Sequence, residues 1–250
     1  MIFLLALLPT IVLLVYIYKM DKLEKEPRKL LFKCFLWGVI IIAPVIAVEE
    51  GISFIFEDLF VSGSVGDAVI EGFIVAAFTE ELFKFIALKW KTWKSPEFNC
   101  FYDGIIYSVF VSVGFATLEN IMYVLDGDIS TALVRMFTAV PGHAYDAVFM
   151  GYFYSKAKKA YLDGNRPLYK KYQGFALIVP MLMHGFYDFL LSFEEEAVGE
   201  SMFLWAVFYW FLLVVAEFIV SLNLVNKMSK NDAYFVTPGD GVLGSKQEEI

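Results

Sequence analysis

Acidic, basic and amide side chains interrupt the long apolar stretches of this sequence, at spacings that place several of them on single helix faces. An ionisable group inside a membrane costs at least about 2.5 kcal/mol on insertion scales, so each one is a candidate for function. The candidates include both histidines of the chain and are Glu80, Glu81, Lys84, Glu119, Asn120, His143, Asp146, His184 and Asp188.

The chemistry predicted from these residue types is the activation of a water molecule. A carboxylate in an apolar setting can act as a general base toward water, and Glu80 with its neighbour Glu81 supplies one. Histidines can stabilise an oxyanion or bind a metal, and the candidate zinc ligands are Glu119, His143 and His184. Bound zinc lowers the pKa of its water, so both routes lead to hydrolysis, and the residues alone leave metal dependence open.

Further polar groups are placed to support these side chains. Asp146 follows His143 by three residues. Asp188 follows His184 by four residues, so each carboxylate shares a helix face with its histidine. A carboxylate in that position holds an imidazole in one tautomer. We assign Asn120 to the same supporting group.

Lys84 lies one helical turn from both Glu80 and Glu81. Its ammonium can neutralise one of the two carboxylates, so that both need not ionise freely. Taken alone, the three residues could be a buried ion pair that only fixes helix packing, and a single histidine on an apolar face is more often a packing residue. Their joint occurrence on separate helices favours a site.

The depth of the candidates follows from counting along each apolar stretch at about 1.5 Å per residue. Glu80, His143 and His184 fall near the middle of three different stretches, which places them at one level. Glu119 falls about 9 Å nearer the outer surface. We therefore expect its helix to tilt, to bend near Gly114 or to start later than its apolar run.

The elements that must position these residues are membrane-spanning helices. The chain of 250 residues is 59% hydrophobic, more apolar than a soluble domain can bury, and its mean hydropathy is +0.62. We predict an all-α integral membrane protein, a bundle of about seven transmembrane helices. Apolar runs of sufficient length cover residues 2–18, 34–56, 68–90, 101–125, 131–154, 174–193 and 201–225.

Lysine and arginine are distributed on one side of this bundle, which predicts its orientation. The loops near 57–67, 126–130 and 194–200 carry no basic residue, whereas the alternate connections carry clusters of them. With seven helices, this places the N-terminus outside and the C-terminus in the cytoplasm. Residues 1–228 are predicted as one polytopic transmembrane domain, and residues 229–250 as a flexible cytoplasmic tail.

Two other functions are compatible with charges inside a membrane. Chains of Glu, Asp and His relay protons or ions, so the alternative is a proton- or ion-coupled transporter, although the sequence shows no clear internal repeat. A scaffold that binds other helices would leave the shared depth of three residues unexplained.

Membrane lipid is the expected environment, and the net charge of −8 gives no reason to expect a nucleic-acid partner. Four further intramembrane charges are placed outside the site, namely Glu49, Glu50, Arg135 and Glu217.

The ordered motifs resemble the PrsW family of bacterial intramembrane proteases, and the resemblance covers nearly the whole chain. The stretch after the first apolar run, Asp21-x-x-Glu24-x-Glu26-Pro27, also looks like the first cytoplasmic loop of that family. The motifs that carry the resemblance are Glu80-Glu81-x-x-Lys84, Phe115-x-x-x-Glu119-Asn120, His143 and His184-Gly-x-x-Asp188.

This resemblance implies peptide-bond hydrolysis within or at the bacterial cytoplasmic membrane. By carry-over, Glu80 is the carboxylate that activates water and Glu81 is its partner. Glu119 stands where the wider superfamily of prenyl-processing and bacteriocin-immunity proteases commonly has histidine. His143 and His184 match the remaining polar positions, as metal ligands or oxyanion donors. The implied substrate is a single-span membrane protein such as an anti-sigma factor, cut in a regulated stress response.

Overall fold

Helices form most of this protein, a computed structural model of which describes residues 2–56, 59–126 and 129–235. The helices are α1 (Ile2–Met20), α2 (Arg28–Phe56), α3 (Val65–Val69), a π-helix (Ile70–Phe78), α4 (Thr79–Thr92), α5 (Asp103–Asp126), α6 (Ile129–Phe137), α7 (Ala139–Leu162), α8 (Arg166–Leu191), α9 (Glu195–Val198) and α10 (Glu200–Lys230). Within these described ranges there is no β-strand, and a single isolated bridge joins Cys100 to Tyr234. The all-α prediction is confirmed.

Four of the helices, α2, α5, α8 and α10, are long and apolar enough to cross a membrane. A shorter apolar segment, Leu7–Met20, lies in α1. Several helices of this length and composition are typical of a multi-pass membrane protein. The count of seven spans and the orientation of the termini stay predictions.

The helix at the centre of the bundle is α5, which packs against α1, α2, α4, α6 and α7. In its apolar window 72% of the residues are buried inside the protein, against 11% in that of α10. The aromatic side chains of α10 point outward instead, among them Trp205, Phe208 and Phe211. Lipid is the solvent that would cover them.

The fifth predicted span, residues 131–154, is not a single helix. It is divided between α6 and α7 at Thr138, which has φ −121° and ψ −72°. Pro141 lies in the first turn of α7, where a missing N–H costs no helical hydrogen bond, whereas in a continuous helix it would. Beyond this break, α7 runs on to Leu162 rather than ending at residue 154.

The π-helix, Ile70–Phe78, leads directly into α4, which begins one residue before Glu80. π-helical turns are frequent at functional sites. Gly72 lets this segment approach α8 closely, since a Cβ there would lie 2.6 Å from the backbone nitrogen of Phe189. The close contact holds the part of α8 that carries His184 against the π-helix, which leads into the helix that carries Glu80.

Gly151 on α7 determines how closely that helix packs on α5. A Cβ at Gly151 would lie 2.4 Å from the carbonyl oxygen of Gly104 and 2.5 Å from the Cα of Ile105. Because both are backbone atoms, we expect Gly151→Ala to lower the free energy of unfolding by about 1–3 kcal/mol, the usual cost of overpacking. Gly174→Ala on α8 is the control, since a Cβ there meets nothing within 4 Å. Thermal unfolding in one detergent compares the two, and equal midpoints would contradict the expectation.

The connection between α1 and α2 is held by buried carboxylates. Asp21 Oδ2 accepts a hydrogen bond from the backbone N–H of Glu26 at 3.0 Å. The Glu26 carboxylate in turn accepts a hydrogen bond from the hydroxyl of Tyr107 on α5. Burial raises the pKa of Glu26 to about 8. The loop whose sequence resembles the PrsW family is therefore packed against the central helix.

The last residues that the structure describes are packed as well. Asp232 Oδ1 accepts a hydrogen bond from the backbone N–H of Tyr102 at 2.9 Å. The buried ring of Phe235 lies 4.8 Å from the ring of Phe101, measured between centroids. Packing thus extends past residue 229, where the predicted tail begins, because an aromatic side chain there finds a buried place. Residues 236–250 lie outside the described residues, and the domain division stays a prediction.

Candidate active site

The ammonium of Lys84 is the centre of a buried polar cluster. Its Nζ lies 2.9 Å from Glu80 Oε2 and 2.7 Å from Glu81 Oε1, both on the same helix, α4. It also lies 3.1 Å from His143 Nδ1, which belongs to α7. Lys84 and Glu81 are fully buried, and the other two residues are each 6% exposed. The one-turn spacing seen in the sequence therefore produces the contacts within α4, and packing adds the histidine.

The two glutamates differ in what they face. Glu80 lines a cavity of about 630 Å³, and its Oε2 lies 3.9 Å from His143 Nδ1 and 4.0 Å from His184 Nε2. Glu81 does not line this cavity, and its Oε1 lies 3.0 Å from His184 Nδ1. The other oxygen of Glu81 is buried and has no hydrogen-bond partner among the described residues. Of the pair, Glu80 is thus the carboxylate that a water in the cavity can reach.

His143 and Glu119 form a second contact across the cluster. His143 Nε2 lies 2.9 Å from Glu119 Oε2, and Arg135 Nη2 lies 3.0 Å from the same oxygen. Glu119 is two turns from the end of α5, and His143 is about one turn from the start of α7. The outward offset expected for Glu119 was measured against residues at the middle of their apolar runs, among them His143 in residues 131–154. The break at Thr138 places His143 near a helix end, at the level of Glu119.

His184 on α8 has an acidic neighbour at each ring nitrogen. Its Nδ1 lies 3.0 Å from Glu81 Oε1, and its Nε2 lies 3.0 Å from Asp188 Oδ2, one turn further along α8. The His184 and His143 rings lie 5.2 Å apart between centroids and are nearly perpendicular. The structure thus brings Asp188 to His184 as the four-residue spacing predicted.

Asp146 lies elsewhere than predicted, because it does not hold the ring of His143. Both ring nitrogens of His143 have other neighbours, Lys84 and Glu119. Asp146 is 4% exposed, and its Oδ1 has no hydrogen-bond partner within the described ranges. The rotation of α7 about its axis turns Asp146 toward α10 instead. Asn120, which follows Glu119 directly in the sequence, is fully buried.

Arg135 connects Asn120 to the cluster, since its Nε donates a hydrogen bond to Asn120 Oδ1 at 3.3 Å. Arg135, Glu49 and Glu217 were predicted to lie outside the site, yet all three line the cavity that Glu80 lines. The direction in which a side chain faces depends on helix rotation, which spacing alone does not reveal. The cost of a charge inside a membrane was a signal for these residues, as it was for the candidates.

Four side chains of the cluster present atoms that could hold a metal ion. Their ligand atoms all lie within 4.8 Å of one another and belong to Glu80, Glu81, His143 and His184. Carboxylate oxygens and imidazole nitrogens are donors that zinc accepts, so the donor set fits such an ion. Glu119, a predicted ligand, is not among the four and contacts His143 from its far side. The Lys84 ammonium contacts three of the four, so an ion bound here would replace it as their common cation.

Carboxylates and imidazoles gathered around a cavity among apolar helices fit the class of intramembrane hydrolases. A family model described as PrsW family intramembrane metalloprotease matches residues 26–216. This chain belongs to the PrsW family, and the predicted family and multi-pass membrane location are confirmed.

Curated relatives support the same assignment over nearly their whole lengths. Protease PrsW of Geobacillus kaustophilus is 36% identical over 81% of this chain and 84% of that protein. Protease PrsW of Bacillus subtilis is 32% identical over 87% of this chain and 94% of that protein. Protease PrsW of Clostridioides difficile is 31% identical over 90% of each. No solved structure matches this chain significantly.

Proposed function

We propose that this chain hydrolyses a peptide bond of a membrane-anchored, single-span protein in the cavity beside Glu80. The observation that carries the proposal is the position of Glu80, which lines the cavity, contacts Lys84 and lies about equally far from both histidine rings. Membership of a protease family supports the reaction. An anti-sigma factor is the class of substrate that the sequence resemblance favours.

In the proposed reaction, a water in the cavity gives a proton to Glu80 as its oxygen attacks the scissile carbonyl carbon. The negative charge that develops on the carbonyl oxygen is stabilised electrostatically by the imidazoles of His143 and His184, which line the cavity, and by the positive charge of Lys84 behind Glu80. The proton on Glu80 then passes to the leaving amine as the C–N bond breaks. One water is consumed, and Glu80 returns to its ionised form.

The remaining charged residues of the cluster hold Lys84 and the two histidine rings in place. Glu81 holds Lys84 and one nitrogen of His184, and Asp188 holds the other nitrogen. Glu119 holds His143, and Arg135 compensates the charge of Glu119. Each imidazole is thereby kept in one orientation beside Glu80.

A metal ion, when bound, would supply a water of lowered pKa and polarise the carbonyl group. The residues that would hold it are Glu80, Glu81, His143 and His184. Zinc is the candidate ion for these donors, and the family description names a metalloprotease.

The test is cleavage by the purified chain in lipid vesicles that also contain a tagged, single-span substrate. We expect a product of defined size, and its loss in His184→Ala, which removes a ring held between Glu81 and Asp188. With a chelator we expect cleavage to fall and zinc to restore it, with about one ion per chain by elemental analysis. Cleavage that survives chelation in metal-free protein would exclude a metal. Proton or ion flux without cleavage would contradict the protease and support a transporter.

A further inference from the structure

Two buried carboxylates in the wall of the cavity have no described function in the cluster around Lys84. Asp146 on α7 is 4% exposed and Glu217 on α10 is 5% exposed. Asp146 Oδ1 and Glu217 Oε1 are both buried and lack hydrogen-bond partners among the described residues. Both residues line the cavity that Glu80 and His143 line. A buried carboxylate oxygen without a donor is costly, so a donor from outside the chain is the expected compensation.

The two carboxylates are neighbours across the interface of α7 and α10. These helices pack together, and Tyr145, next to Asp146, lies with its ring centroid 6.0 Å from that of Phe218, next to Glu217. The two acidic groups also interact electrostatically. Their like charges repel, and a cation between them would relieve the repulsion.

No described basic side chain forms an ion pair with either carboxylate. The positive groups that interact with Asp146 electrostatically are His184 and Lys84. Lys84 is held by the two glutamates of α4, and His184 by Glu81 and Asp188. Neither can therefore serve as the missing donor without breaking its own contacts.

The charges of the side chains that line the cavity also favour a bound cation. Seven acidic side chains line it, against one arginine and two histidines. The arginine, Arg135, is already paired with Glu119. A cavity of this composition attracts a cation and disfavours an acidic group.

The wall beside Glu217 suits the apolar part of a long cationic side chain. Trp210 lies two turns before Glu217 on the same face of α10 and also lines the cavity. Its ring lies 5.7 Å from that of Tyr187 on α8, between centroids. Lysine and arginine pack their methylene stems on such surfaces and can place their charge over a tryptophan ring.

We propose that Asp146 and Glu217 form a subsite that binds a lysine or arginine side chain of the substrate segment held in the cavity. This inference rests on the proposed function, because it assumes that a polypeptide enters beside Glu80. Membrane-anchored proteins carry lysine and arginine at the ends of their spans, so the required side chain is commonly available there. The subsite would select which segments are held and in which register.

The experiment measures binding rather than cleavage. The full chain in lipid discs is titrated with fluorescent single-span peptides that carry one lysine at successive positions, and with matched peptides that carry norleucine instead. We expect at least one position at which lysine strengthens binding by roughly tenfold or more, the effect of hydrogen bonds to a charged group. The double variant Asp146→Asn/Glu217→Gln should reduce this preference to less than about twofold, since the neutral pair offers no charge.

Glu200→Gln is the matched control, because it removes one acidic charge from an exposed position of the same helix, α10. It should keep the full preference for lysine. Glu217→Lys should abolish the preference for lysine, because the new ammonium pairs with Asp146 and repels a substrate cation. The subsite would be overturned if no position showed a preference for lysine, the result expected if the two carboxyls share a proton instead. It would also be overturned if the preference persisted in the double variant. Cleavage in the same discs reports separately on the proposed function.

Discussion

Glu80→Gln is expected to lower kcat for substrate cleavage by roughly 10²–10⁴-fold, the usual contribution of a general base. The side chain keeps its size and its place beside Lys84, so substrate binding and KM should change little. Lys84, the buried partner of Glu80, keeps its ion pair with Glu81, so loss of the Glu80 charge does not leave the ammonium uncompensated. Kinetics with a tagged single-span substrate in vesicles gives both constants. An unchanged kcat would contradict the role of Glu80.

Glu81→Gln is the informative comparison, because it removes the same charge one residue further along α4. Glu81 is fully buried and contacts both Lys84 and His184 rather than the cavity. We therefore expect its loss to lower activity together with thermal stability, whereas Glu80→Gln lowers activity alone. If the two variants show the same pattern, the structural distinction between a base and a positioning carboxylate is wrong.

Lys84→Met is expected to lower the free energy of unfolding by about 3–5 kcal/mol, the cost of removing one partner from a buried ion pair. Lys84 is fully buried and is the only cation in contact with Glu81 apart from the His184 ring, within the described ranges. Methionine fills a similar volume but leaves the Glu81 charge uncompensated. Thermal or denaturant unfolding of the purified protein in a single detergent measures the loss.

The double variant Lys84→Met/Glu81→Gln separates a lost charge pair from lost packing. If the uncompensated carboxylate causes the instability, neutralising it should recover a large part of the lost stability. Lys94→Met, at an exposed position just after α4, is the control and should stay within about 0.5 kcal/mol of the parent. A double variant as unstable as Lys84→Met would show that the charge of Glu81 is not the cause.

Local patterns in the sequence were sufficient for the polar residues that interact within one helix. The contacts of Lys84 with Glu80 and Glu81 follow from one-turn spacing, as does that of His184 with Asp188. The all-helical architecture and the membrane location follow from the length and apolarity of the runs. Each of these depends on neighbours in the chain, which a single sequence contains.

Three features could not be predicted in this way, because they depend on how helices rotate and end. Asp146 faces α10 rather than His143, although the two residues are less than one full helical turn apart. The break at Thr138 moved His143 from the middle of a presumed span to a helix end. Arg135 lies beside Glu119, although it was predicted to lie outside the site.

The sequence by itself determined that this is a helical membrane protein of the PrsW family, with glutamates, a lysine and histidines at the right intervals to cooperate. Only the tertiary structure decided which carboxylate faces the cavity, which oxygen atoms stay without donors, and which distant charges join the site. The physical reason is that hydrophobic periodicity reports burial in lipid or protein alike, whereas the rotation of each helix is set by close contacts such as those of Gly72 and Gly151.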